Sequence, residues 1–184
     1  MAGKFPYVSS AGPLTKALLQ LRKSFPKEVT ADTLKKLDIA PNNETYVIST
    51  LKFLKIIDEN GNKLDAAGKI FVHNDEKFPK EFDPLVRSAY HELFELHGND
   101  AWKLDKAALT QFFRTSDQSS DIVGQRQALT FNCLAGLCGH VPAAEVKAST
   151  KSNGKGETKK SSAPSKKTAS STSASSLMKI SLRA

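Results

Sequence analysis

From Lys147 to Ser176 the chain is built of Ser, Thr, Lys, Ala and Gly, with single Asn, Glu and Pro residues and no aromatic, Leu, Ile, Val or Met. Such a stretch has nothing to bury against the conformational entropy it would lose on ordering, so it reads as a disordered Lys/Ser-rich linker over 147–176. Whatever folds must therefore do so in the residues before it, a length sufficient for one core. Beyond the linker, Met178, Ile180 and Leu182 alternate at period two, as in a half-buried strand. Residues 177–184 read as a strand-like terminus that either adds to a sheet edge of this chain or a partner, begins a further domain, or frays.

Charge divides the chain at the same place. Residues 147–184 hold nine basic residues and one acid, which accounts for the whole net charge of +8. The preceding residues are neutral in sum but dipolar: 1–55 hold nine bases and four acids, 56–146 nine bases and fourteen acids. No apolar run approaches the ~20 residues of a membrane helix, and the N-terminus lacks the apolar core of a secretory signal, so the expected location is cytoplasmic and no membrane partner is expected. Cys133 and Cys138, about 140° apart on one helix, read as reduced core residues rather than a disulfide pair.

The apolar periodicity is helical almost throughout. Leu14, Ala17, Leu18 and Leu21 share one face behind Gly12-Pro13, predicting a helix over 13–24 with Pro where its missing N–H costs nothing. Thr30 is an N-cap for a short second helix carrying Leu34 and Leu37, and Asp38-Ile39-Ala40-Pro41-Asn42-Asn43 breaks it. A third helix runs from about 43 to 55 with Val47, Ile48, Leu51 and Leu54 inward and Thr45, Ser49 and Lys52 on another face. Ile56-Ile57-Asp58, the turn Glu59-Asn60-Gly61-Asn62 and Lys63-Leu64 read as a β-hairpin. The order is that of a winged helix-turn-helix, with the hairpin as wing.

The residues from Ala31 to Ile39 and from Tyr46 to Gly61 resemble the core of winged-helix transcription regulators, in which a helix ends in a Leu-Gly-Leu-Ile-Asp-like segment before the wing. Lys55 stands where that pattern has Gly, so a left-handed helix end there strains Lys by ~1–2 kcal/mol. Over residues 5 to about 140 the chain also resembles an uncharacterised bacterial and archaeal family known only as a domain of unknown function, through Tyr7-Val8, Gly12-Pro13-Leu14, Val29-Thr30-Ala31, Asn43 to Val47, Phe112-Phe113-Arg114, Gly124-Gln125-Arg126-Gln127 and Thr130-Phe131. That resemblance implies membership and fold and brings no activity with it.

In the second half, Phe78 to Pro84 reads as a loop with Asp83 as N-cap, followed by a helix carrying Leu85, Ala89, Leu93 and Leu96 that ends at His97-Gly98-Asn99. Helices near 105–114 and 119–138 follow, and Gly139-His140-Val141-Pro142 closes the fold. The expected class is mainly α, one composite domain over 5–142: a winged-helix-like part (13–72) packed with about three further helices (78–142). Arg126, among apolar neighbours on the last helix, is either paired with a carboxylate or capping carbonyls, or free to bind. Trp102 reads as a core anchor in preference to a ligand platform.

Catalytic motifs are lacking. His91-Glu92-Leu93-Phe94-Glu95-Leu96-His97 departs from H-E-x-x-H because Glu95 occupies i+4, and His97 at i+6 points away from His91. Cys138-Gly139-His140 offers too few ligands for zinc. No enzyme activity, cofactor or metal is expected. The leading expectation is duplex DNA binding, with Asn42, Thr45, Ser49 and Lys52 of the third helix in the major groove and Tyr46 at its edge. Lys35, Lys36 and Lys63 would contact phosphates, with Lys159, Lys160, Lys166 and Lys167 of the linker adding sequence-independent affinity. The absence of Arg from the reading helix weighs against it, since Arg is the commonest reader of guanine. The alternative is a protein-interaction module on the same scaffold, its tail tethering a partner or a further domain. A continuous basic stripe would favour DNA; an exposed apolar groove would favour a protein.

Overall fold

A computed structural model of the chain describes residues 3–140. The segment expected to be a linker, the four lysines expected there to contact phosphate, and the terminus expected to be strand-like lie outside the described residues. The fold is mainly helical: α1 (Ala11–Lys23), α2 (Ala31–Lys36), α3 (Glu44–Phe53), α4 (Asp65–Phe71), α5 (Phe78–Ala89), α6 (His91–His97), a 3-10 turn (Gly98–Lys103), α7 (Lys106–Asp117) and α8 (Asp121–Leu137). None of these helices is long and apolar enough to cross a membrane.

The elements form for the reasons their residues supply. Leu14, Ala17, Leu18 and Leu21 bury one face of α1. The Thr30 hydroxyl accepts from the Thr33 N–H (3.3 Å) to start α2, and Asp105 and Ser120 cap α7 and α8 in the same way. Helix α2 ends with Asp38 at φ 50°, its N–H bonded to the Lys35 carbonyl and that of Ile39 to the Leu34 carbonyl, both at 2.9 Å. Leu37, expected inside, is the C-cap and stays exposed. Ala40 (φ 54°) and Asn42 (φ 65°) are also left-handed, so the turn into α3 is tight. Helix α3 ends likewise: Lys55 has φ 54°, with its N–H on the Lys52 carbonyl and the Ile56 N–H on the Leu51 carbonyl.

The expected β-hairpin wing is not formed. Among the described residues, the segment after α3 makes only two isolated antiparallel bridges, Ile57 with Lys63 and Glu28 with Asn62. Helix α4 starts at Asp65 and leaves a return arm of only Lys63 and Leu64, so pairing stops after the Asp58 N–H meets the Asn62 carbonyl (2.9 Å) and the Leu64 N–H the Ile56 carbonyl (3.1 Å), while the Lys63 N–H points the other way, to the Lys27 carbonyl (2.8 Å). The turn itself is well made. The Asp58 carboxylate accepts from the Asn60 and Asn62 N–H groups, both at 2.8 Å, and from the Asn62 side chain (3.0 Å), which holds its pKa below the usual range. Gly61 (φ 90°) closes the turn where a Cβ would lie 2.7 Å from the Val29 carbonyl.

The second half departs from expectation at α5, which begins at Phe78 rather than after Asp83 and carries Pro84 inside it. Asp83 therefore pairs with Arg87 one turn on and with His140, in place of capping a helix. The helix expected to run through to Leu96 breaks at Tyr90. Tyr90 stands in the core, ringed by Phe5, Phe53, Phe113 and Phe131 at centroid distances of 5.7, 5.0, 6.0 and 5.1 Å. Trp102 is a core anchor, stacked between His140 (4.3 Å) and Phe131 (5.3 Å). Helices α7 and α8 approach closely because residue 124 is Gly: a Cβ there would meet the Thr110 carbonyl at 3.0 Å and the Arg114 side chain at 2.5 Å. Cys133 and Cys138 are buried free thiols.

Candidate functional site

The N-terminal residues 3–8 are an extended strap that joins the two halves and builds a site against α3. Phe5 is buried in the aromatic core. The Asp117 carboxylate at the end of α7 accepts from the N–H groups of Lys4 (3.0 Å) and Phe5 (3.2 Å) and from the Gln127 amide (2.5 Å). Gln127 also donates to the Phe5 carbonyl (2.7 Å), and the Val8 N–H donates to the Thr130 hydroxyl (3.0 Å). Gly3 is required for the close approach, as a Cβ would lie 2.4 Å from the Asp117 carboxylate.

This latch lays the strap along α3, with Phe5 against Phe53 (5.9 Å) and Tyr7 against Tyr46 (5.3 Å). Between strap, α3 and the α7–α8 corner is an open groove of about 550 Å³. One wall is the strap, with Phe5, Pro6 and Tyr7; the second is α3, with Thr45, Tyr46, Ser49 and Phe53; the third runs from Asp117 through Ser120 to Val123. The Ser119 hydroxyl in that wall is buried and has no hydrogen-bond partner among the described residues. A shallower groove of about 720 Å³ lies on the other side of Ser49, between Lys52, Lys55 and Glu59 on one flank and Leu85, Ser88 and His91 on the other.

The residues proposed from the sequence to read DNA are thus divided. Thr45, Tyr46 and Ser49 share the aromatic groove. Asn42 is exposed in the turn before α3. Lys52 is half-buried and turned to the Asp58 loop, where its Nζ donates to the Glu59 carbonyl (2.6 Å) and faces the Glu59 carboxylate (3.7 Å). Lys35 faces Asp32 at 3.9 Å, while Lys36 is exposed with no ion pair among the described residues. Lys63 lies with its Nζ 5.4 Å from the centre of the Phe25 ring.

Sequence reasoning missed the strap, Asp117, Gln127 and Ser119. The signal for some of them was present, since Tyr7-Val8, the Gly124 to Gln127 run and Thr130 were among the residues carrying the family resemblance. His91 and His97 do not converge: His91 stands by Glu92, and the His97 ring packs edge-on against Phe112 (6.4 Å). Among the described residues no three His, Cys, Asp or Glu side chains come together to hold a metal.

The profile of a family described as a family of unknown function (DUF5343) matches residues 6–145. No curated protein matches the chain, and no solved structure does.

Proposed function

We propose that this chain, which belongs to the DUF5343 family, is a protein-docking module that takes an extended, apolar segment of a partner protein in the groove between the strap, α3 and the α7–α8 corner. The observation that carries the reading is where α3 presents its outward residues. Thr45, Tyr46 and Ser49 stand in a groove walled by Phe5, Tyr7, Phe53 and Val123. A reading helix must enter a duplex groove ~12 Å wide, whereas this face is flanked by a second chain segment on one side and by α5 and α6 on the other. Its one lysine is engaged by Glu59. Aromatic walls with a few polar groups suit a peptide, whose apolar side chains fill the groove while the exposed hydroxyls of Thr45 and Ser49 meet its backbone.

A second reading, duplex DNA binding by a winged-helix-like half, is favoured by the helix-turn-helix order of α2 and α3 and by Lys36 and Lys63, which carry no carboxylate partner among the described residues. One experiment separates the two. Peptides selected from a displayed random 12-residue library on the full chain, and a random-sequence 20-base-pair duplex, are titrated by fluorescence anisotropy against the wild type, Ser49→Trp and the double variant Lys35→Glu, Lys36→Glu. Docking requires that Ser49→Trp, which fills the groove, weaken peptide binding about tenfold or more while the lysine variant leaves it unchanged. Failure to select any peptide, or peptide binding indifferent to Ser49→Trp, overturns it.

A further inference from the structure

We infer that Arg126, with Tyr7 and Tyr46, forms a recognition site for a carboxylate at the end of this groove, so that the docked segment is acidic as well as apolar. The inference rests on the docking reading and adds the chemistry of the partner. Of the four arginines among the described residues, three have carboxylates: Arg22 meets Asp75 (2.7 Å), Arg87 meets Asp83, and Arg114 meets Asp121 (3.4 Å). Arg126 has none within 4 Å among the described residues, although it is half-buried.

A guanidinium whose forked donors meet no acceptor among the described residues can take a carboxylate by two parallel charge-assisted hydrogen bonds. Arg126 is held in readiness. Its guanidinium carbon lies 5.8 Å from the centre of the Tyr7 ring, and Tyr7 packs on Tyr46, which is 39% exposed and lines the groove. The strap that carries Tyr7 is fixed by Gln127, the residue next to Arg126, so ring and guanidinium keep their register. Arg126 follows Val123 of the groove wall by three residues on α8, one helical turn along the same face. A segment that leaves the groove over Tyr7 would meet that one cation after the aromatic wall.

The same geometry argues against a phosphodiester chain as occupant. Repeated phosphates need repeated cations, but Lys4, the lysine of the groove wall, is engaged by Glu92. One guanidinium suits one carboxylate.

The test uses the full chain and peptides selected from the displayed 12-residue library. Selected sequences should combine an aromatic or large aliphatic residue with Asp or Glu. Arg126→Gln should weaken the best of them about tenfold or more, with Arg126→Lys recovering only part because it loses the forked geometry. Arg114→Gln, on the same corner but already paired, should leave binding unchanged, and replacing the peptide's acid by its amide should remove the difference between wild type and Arg126→Gln. Apolar peptides without acids that ignore Arg126→Gln but are lost in Ser49→Trp would overturn the carboxylate site and leave the docking groove standing. Peptide binding that ignores both variants would overturn the groove itself. Tighter, Arg126-dependent binding of a 12-nucleotide oligothymidine than of any peptide would assign the guanidinium to phosphate and overturn the inference.

Discussion

Lys55 offers a sharp test of the backbone account of α3. Its φ of 54° and the paired bonds from Lys55 to Lys52 and from Ile56 to Leu51 are those of a helix end that favours Gly. The Lys55 side chain is exposed and makes no ion pair among the described residues, so Lys55→Gly changes little besides the Cβ. Removing the Cβ relieves ~1–2 kcal/mol of left-handed strain. The added freedom of Gly in the unfolded chain takes back roughly 0.5–1 kcal/mol. The net expected gain is about 0.5–1 kcal/mol, which for a folded body of this size raises the melting temperature by about 2–4 °C. Lys55→Ala is the control, because it removes the charge and keeps the Cβ, and it should match the wild type. Urea denaturation followed by far-ultraviolet circular dichroism on the three full-length proteins measures the difference. A Lys55→Gly protein no more stable than wild type, or a Lys55→Ala protein equally stabilised, would refute the reasoning, the latter by showing that charge and not φ is responsible.

Three further outcomes concern the Asp117 latch and the two buried thiols. Asp117→Ala removes the acceptor for Lys4, Phe5 and Gln127 and should cost about 2 kcal/mol; amide exchange at Lys4 and Phe5 should quicken, and unchanged exchange there would show that the strap does not depend on this latch. Burial pushes the Cys133 thiol from its ordinary value of 9.0 up to about 11 and, with the Asp83 charge, raises Cys138 as well. Neither should react with dithiobis(nitrobenzoate) at pH 8 until the protein is unfolded. Because the folded thiols are the weaker acids, their contribution to stability is complete below pH 9 and is lost as pH rises from there toward 11, at most about 1.4 kcal/mol per unit for each thiol. Cys133→Ala should therefore flatten the alkaline fall in the urea midpoint, and an identical fall in both proteins would contradict the burial.

Helices could be read from the sequence wherever one face alone decides them. The stripe of α1, the Thr30 cap and the left-handed strain at Lys55 are consequences of spacing and side-chain type within a few residues, and the structure shows each. The helical class of the chain follows from the same local rules. The missing wing does not, because the return arm is cut short at Asp65 by α4, a helix held by the burial of Ala67 and Phe71 in the core. Helix α5 likewise extends back over residues read as a loop, since Phe78 and Phe82 stack on one another (5.1 Å) and against Phe71 of α4, at 5.5 and 6.1 Å, and that burial outweighs a proline signal.

The groove lies wholly in this second category. Phe5, Tyr46, Asp117 and Gln127 are separated by up to 122 positions in the chain and have no periodic relation to one another. What joins them is long-range hydrogen bonding: a carboxylate at one helix end satisfies backbone N–H groups of a strap, and the amide of the next helix satisfies its carbonyl. Sequence alone determined that the body is helical, that its positive excess belongs to the tail, and that Arg126 sits uneasily on an apolar face. Only the tertiary structure decided that the outward side of α3 lies in a groove and that Arg126 has a tyrosine in place of a carboxylate, because the fate of a polar group depends on what the rest of the chain brings within a few ångströms of it.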